Sequence, residues 1–298
     1  MVTGSNGLLG QTLTQLITST RRAELVATSK GENRYPMQEG YVYFELDITD
    51  KDQLQKLISD VKPDTIINTA AITNVDICHV ERGLCRVLNI DAVKNLSEIC
   101  ASSNIHLIHL STDFVFDGAD GPYSEEATPN PVSFYGETKL KAEQVLQESP
   151  CRWTILRTIL VYGVTANMSR SNIVLWAKSA LQKGEPIKVV TDQWRMPTLA
   201  LDLAEACLLA AEKEATGLFH ISGKDMMTVY ELVTHVATYW DLNLDIIQPI
   251  TSAELSQDAK RPGKTGFILD KANQVLGYEP HSFLEGLRIV DNELSARN

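Results

Sequence analysis

The chain has 298 residues, enough for one large core or for a main domain with a smaller companion. Its 44% hydrophobic and 22% charged residues are ordinary for a soluble globular protein. A formal charge of −11 argues against nucleic acid or an anionic membrane as the main partner. A phosphate ligand stays open, because backbone amides and a few placed cations bind one locally. Five cysteines (Cys78, Cys85, Cys100, Cys151, Cys207) form no C-x-x-C pair, and there is no signal peptide or membrane-length apolar run. Reduced, buried thiols in the cytoplasm are therefore expected.

Met1-Val2-Thr3 reads as a strand end, followed by a glycine turn (Gly4, Gly7, Gly10) and a helix with Leu8, Leu9, Leu13, Leu16 and Ile17 on its inner face. Such a turn brings backbone close to a pyrophosphate, which then rests on the free N–H groups of the helix N-terminus. Residues 24–28 form a second strand. No carboxylate follows it to take the adenine ribose; Thr28-Ser29-Lys30 stand there instead, with Arg34 further on. Lys30 is available to a 2′-phosphate, so NADPH is favoured, with NADH still open. A third strand at 41–46 ends in Asp47-Ile48, and Asp50 reads as a helix N-cap. A fourth, at 64–68, carries the apolar pair Ile66-Ile67, and the small Ala70 and Ala71 after it let a ligand pass close to the backbone. Residues 73–100 read as mainly helical.

His79, His106 and His109 invite a metal reading, but His106 and His109 fall on opposite faces of one strand and cannot share an ion. Structural imidazoles, and no metal, are expected. The strand at 105–110 ends in Ser111-Thr112. A turn-rich loop at 117–133, long enough to be functional, leads to Tyr135-Gly136-Glu137-Thr138-Lys139 at the start of a helix. Residues four apart share a helix face, so Lys139 lies beside Tyr135. A phenol titrates near pH ~10, and a neighbouring ammonium draws that value toward neutrality. Thr112, at the end of its strand, can hold the oxygen that the phenol protonates. A further strand spans 152–157 and continues through 158–163. The smaller part then follows: a helix opening at Asn172-Ile173, a strand at 187–190, an apolar helix at 201–211 expected to pack back on the first domain, a strand at 217–221, a helix at 229–240, the loop Arg261-Pro262-Gly263-Lys264, and closing helices at 272–276 and 283–294. The expected architecture is α/β: a doubly wound parallel sheet over 1–163, with 199–215 packing back on it, and a smaller α/β part, mainly substrate-binding, over 164–298.

The glycine turn, Asn68-Thr69-Ala70-Ala71, Ser111-Thr112-Asp113-Phe114-Val115-Phe116, Tyr135/Lys139, Asp192-Gln193 with Pro197-Thr198, and Arg261-Pro262-Gly263 together resemble the extended short-chain dehydrogenase/reductase family, and within it the dTDP-4-dehydrorhamnose reductases. The resemblance implies NAD(P)H-dependent reduction of the 4-keto group of a nucleotide sugar, with Thr112, Tyr135 and Lys139 matching the catalytic residues. It places Gly4, Asn6, Gly7, Leu8, Ser29, Lys30, Asp47, Ile48, Ala70, Ala71 and Asn89 at the cofactor. It places Asp113, Asn172, Gln193 and Arg261 at the substrate, with Arg261 on the diphosphate. A homodimer is compatible with it. In these enzymes the first strand is central in the sheet, so the three residues before Gly4 lead us to expect that a few apolar residues are missing from the native start; intact-mass analysis of the endogenous protein tests this.

Two positions depart from the rhamnose enzymes: Leu160, where a tryptophan is usual, and Arg195, where a small residue is usual. They bear on the sugar, not on the reduction. Two alternatives stand beside the reductase. One is an epimerase with retained NAD; dehydration is disfavoured because Phe114, not glutamate, follows Thr112-Asp113. The other is a non-catalytic NADP-binding subunit resembling the regulatory partner of methionine adenosyltransferase.

Overall fold

A computed structural model describes residues 1–167, 171–255 and 258–297. Apolar residues that recur along short extended segments build the main sheet from β1 (Val2–Thr3), β2 (Val26–Ser29), β3 (Val42–Glu45), β4 (Thr65–Asn68), β5 (His106–Thr112), β6 (Arg152–Thr158) and, far along the chain, a strand at Gly217–Ile221. All seven are parallel, with the Gly217–Ile221 strand at one edge, β3 at the other, and the order between them β6-β5-β4-β1-β2. Parallel strands need crossovers. These are α1 (Leu8–Thr20), α2 (Lys51–Val61), the broken helical run α3 (Val75–Val80), α4 (Arg82–Arg86) and α5 (Ala92–Ser103), and α6 (Phe134–Glu148). Chain order reverses between β1 and β4, and the crevice beyond the strand ends there is where such sheets bind ligands.

β1 contributes two residues, yet the ladder extends one further: the Met1 amino group donates to the Thr65 carbonyl at 2.7 Å and the Ile67 amide to the Met1 carbonyl at 2.9 Å. The single strand expected over 152–163 is interrupted. Leu160 adopts φ 42°, a left-handed conformation that a leucine takes up at a cost of about 1–3 kcal/mol. It ends β6 and turns the chain into β7 (Val161–Tyr162), which pairs with β10 (Thr198–Leu199) instead of the main sheet.

The second lobe contains α7 (Ile173–Gln182), β8 (Ile187–Val190), β9 (Trp194–Arg195), α9 (Val229–Tyr239) and α10 (Phe283–Ser295), with β8 joined to β13 (Ile247–Ile250) and β9 to β12 (Met227–Thr228). Its core gathers Val174, Leu181, Val189, Leu232, Val236, Phe283 and Leu287. The apolar helix α8 (Ala200–Glu212) lies with α1 over the main sheet, where Leu203, Ala206 and Cys207 share a core with Leu13, Ile17 and Val2. Sequence reading placed 217–221 in the smaller part. It is instead β11, the edge strand of the main sheet, because its buried Phe219 and Ile221 complete the core that α8 covers.

The cysteine expectation needs one correction. Cys78 and Cys85 are joined as a disulfide, with Cα atoms 5.4 Å apart, while Cys100, Cys151 and Cys207 are free and buried. The two bonded residues are fully buried against Val75 and Tyr135. No described helix is long and apolar enough to cross a membrane.

Candidate active site

Two elements, β5 and α6, bring the sequence-predicted trio to one cleft. β5 ends at Thr112, whose hydroxyl accepts from the Phe114 amide at 3.2 Å and donates to Asp113 Oδ1 at 3.1 Å. α6 begins at Ser133, whose side chain caps it by accepting from the Gly136 amide at 3.2 Å. The first turn of α6 lies directly on the turn after β5: a Cβ on Gly136 would stand 2.1 Å from the Phe114 carbonyl oxygen. Main chain therefore meets main chain, and Tyr135 and Thr112 come to line the same cavity, of about 660 Å³. The ring of Tyr135 meets Phe114 edge-on, centroids 5.7 Å apart. Removing the cap in Ser133→Ala should lower stability by about 1 kcal/mol, read as a lowered denaturation midpoint with unchanged slope.

The rest of the cavity wall comes from the glycine turn (Asn6, Gly7, Leu8, Gly10), from Thr69 and Ala71, and from Asn172, Gln193, Leu160, Arg195 and Arg261 of the second lobe and its neighbouring loops. The turn suits a pyrophosphate. A Cβ on Gly10 would come within 2.4 Å of the Gly4 carbonyl oxygen, so only glycine lets α1 start that close to β1. No side chain caps α1 at Gly7, which leaves its first N–H groups facing the cleft. A second hollow, of about 260 Å³ and lined by Gly4, Ser29, Lys30, Asp47, Ile48, Ala70 and Ala71, continues from the turn past the ends of β2 and β3. The two hollows together fit an extended dinucleotide. Lys30 forms an ion pair with Asp47 at 2.7 Å, which draws the Asp47 carboxyl down to about 2. The lysine is largely exposed and stays within reach of a ligand.

Several expected side chains are engaged with protein partners. Asp113 is buried between Thr265 Oγ1 at 2.5 Å, Thr112, and the Arg195 guanidinium at 3.7 Å; burial pushes its carboxyl up against the pull of Arg195. Arg195, buried like its partner, donates to the carbonyls of Trp194, Pro262 and Gly263. It thus clamps the loop that carries Arg261 to β9, and its head group is shared between those carbonyls and Asp113. Arg261, in the cavity wall, pairs with Asp76 at 2.6 Å. Asn172 caps α7 and donates to the Gly163 carbonyl at 2.7 Å, and Gln193 donates to Ser252 Oγ at 2.9 Å.

Asn89 joins the 72 region to α6: it bonds both the amide and the carbonyl of Ile72 and donates to Thr138 Oγ1 at 3.2 Å. Lys139 itself meets a different residue, His109, with Nζ 2.9 Å from Nε2. Sequence reasoning had set His109 aside as structural. The spacing of thirty residues gives no local signal; the facing strand and helix do. Behind this pair, Glu143 receives two bonds from Arg157, at 2.7 and 2.9 Å, and one from Ser111 at 2.5 Å, all within the core. Burial brings Lys139 down to about 8, partly offset by Glu143.

A twisted parallel sheet with a dinucleotide-shaped crevice at its switch point, flanked by a strand-end hydroxyl and a Tyr/Lys helix, defines a nicotinamide-dependent Rossmann-fold oxidoreductase. The chain belongs to the family described as RmlD substrate binding domain, which matches residues 1–295. It is 30% identical, over 97% of both chains, to a dTDP-4-dehydrorhamnose reductase of Aggregatibacter actinomycetemcomitans. It is also 30% identical to the methionine adenosyltransferase 2 subunit beta of Xenopus laevis, over 84% of this chain and 75% of that one. Among solved structures it resembles a dTDP-4-dehydrorhamnose reductase of Bacillus anthracis in complex with NADP, with a TM-score of 0.83 at 28% identity over 98% of each chain.

Proposed function

We propose that the protein reduces the keto group of a nucleotide-linked sugar with NAD(P)H, the substrate being dTDP-4-dehydrorhamnose and the product dTDP-rhamnose. The observation that carries this reading is the single cavity into which Thr112, Tyr135, Lys139 and the glycine turn all open. A bound nicotinamide dinucleotide supplies the hydride. Tyr135 gives its phenolic proton to the carbonyl oxygen, Thr112 hydrogen-bonds that oxygen, and Lys139 favours the phenolate left behind and returns a proton to it. The dinucleotide would lie along Gly4, Asn6, Gly7 and Leu8, with its adenosine end at Ser29, Lys30, Asp47, Ile48, Ala70 and Ala71. The second lobe would hold the nucleotide sugar at Asn172, Gln193 and Arg261. Leu160, at its strained position in the wall, keeps an apolar surface where a tryptophan would stack.

Mixing the protein with NADPH and dTDP-4-keto-6-deoxy-L-mannose should give loss of NADPH absorbance; no oxidation with this or other nucleotide keto sugars would overturn the reading. The similarity to methionine adenosyltransferase 2 subunit beta favours that second outcome's explanation, a binding subunit that holds NADPH without turning it over. Under the reductase reading, Lys139 is a cation below about 8 and a neutral amine above it. Proton delivery then fails at high pH, so kcat/KM should fall as pH rises through about 8. A profile flat from pH 7 to pH 10, on either side of that value, would remove Lys139 from the proton path.

A further inference from the structure

Behind Lys139 runs a chain of side chains that solvent does not reach: Lys139, His109, Asn68 and Thr3, each 2% exposed or less. Their donors and acceptors can be assigned from one fixed point. The Ala70 amide is a donor and nothing else, and it faces Asn68 Oδ1 at 3.3 Å. The Thr3 hydroxyl donates to the same oxygen at 2.6 Å. Asn68 therefore turns its amide nitrogen, also only a donor, toward His109 Nδ1 at 3.1 Å. Nδ1 must accept, and a neutral imidazole that accepts at Nδ1 carries its proton on Nε2. That Nε2–H points at Lys139 Nζ, 2.9 Å away. An ammonium has no lone pair to receive it; an amine has one. Flipping the Asn68 amide would set its NH2 against the Ala70 N–H, and an imidazolium would set its Nδ1–H against the Asn68 NH2. Between groups buried as these are, each donor–donor contact costs about 1–3 kcal/mol or more.

We propose that His109 is a positioning residue that reads the proton on Lys139: its Nε2–H, locked by Asn68, Ala70 and Thr3, donates to the unprotonated amine and turns the ammonium away toward Tyr135 and the cleft. Lys139 then has two stations, an inner one for the amine on His109 and an outer one for the ammonium, so proton uptake by the lysine is coupled to its arrival where a proton is needed. Glu143 pulls the other way and favours the ammonium, but its carboxylate is already engaged. Glu143, one turn further along α6, is held by Arg157 and Ser111, and Asp113 is held by Arg195 and Thr265. Burial keeps His109 well below its ordinary value, so it stays neutral throughout. The purpose of this device, though not its geometry, rests on the reductase reading.

The test needs no substrate. In the full chain labelled with 15N-histidine, His109 (assigned from the missing signal in His109→Gln) should carry its proton on Nε2 and keep Nδ1 bare across the whole titration of Lys139. Its Nε2 signal should shift as the lysine, followed in parallel by 13C labelling, takes up its proton. In Asn68→Asp the new carboxylate accepts from Nδ1–H, Nε2 becomes an acceptor for the ammonium, and the Lys139 titration should move up by roughly one unit or more. A proton on Nδ1 in the wild-type chain would overturn the proposal, and so would an unmoved Lys139 titration in a folded Asn68→Asp protein that shows the Nδ1–H form. If Asn68→Asp does not fold, the wild-type tautomer still decides. Absence of NADPH oxidation would sink the reductase reading and leave these measurements unaffected.

Discussion

Arg157→Leu should destabilise the fold by about 3–5 kcal/mol, because it leaves the Glu143 carboxylate buried without its cation. Glu143 lies wholly within the core and Arg157 is 2% exposed, and the pair ties α6 to β6. The guanidinium also lies 5.0 Å from the centroid of Phe116 and 3.3 Å from His220 Nε2 on β11, so one side chain on β6 links α6, β11 and the turn after β5. The Ser111 hydroxyl alone cannot neutralise the charge that remains. Replacing both members, in Glu143→Leu/Arg157→Leu, should cost less than Arg157→Leu alone, since the penalty comes from the orphaned charge and not from the lost attraction. Urea denaturation of the three proteins measures this. A loss below about 1 kcal/mol in Arg157→Leu would mean that water reaches Glu143.

Tyr135→Phe should lower kcat by roughly 10²- to 10⁴-fold, the usual contribution of a positioned general acid. The ring would still fill its place against Phe114 and the Val75 cluster, so folding and NADPH binding should hold. The expected signature is a loss in kcat with little change in the fluorescence of bound NADPH. A rate undiminished by the substitution would show that another group protonates the substrate oxygen, and Tyr135 would then be a wall of the cleft and no more.

How much of this was legible in the sequence follows from the range of each interaction. The glycine turn, the strand-end Thr112 and the Tyr135/Lys139 helix are each encoded within a few consecutive residues, and all of them line one cavity. The parallel sheet is legible for the same reason, each βα unit announcing itself locally. What escaped depends on chain segments far apart. The edge position of β11 is decided by pairing with β6, some sixty residues earlier in the chain. Arg195 looked like a substrate-facing change, yet its head group is shared between carbonyls of the Arg261 loop and Asp113. His109 alternates correctly with His106 along β5, but only the packing of α6 on that strand gives it Lys139. Leu160 reads as an ordinary strand residue until its backbone is seen to be left-handed, a conformation that no local preference of leucine foretells. The joining of Cys78 to Cys85 likewise follows from the turn between α3 and α4, not from the cysteine count.

The contact at Gly136 has a wider consequence. Since bare peptide groups touch there, the gap between phenol and threonine is gauged by a spacer that no side-chain replacement can thicken or thin without dislodging the helix itself. Substitutions in the surrounding walls can therefore reshape the cavity while the spacing set by this backbone contact stays as it is.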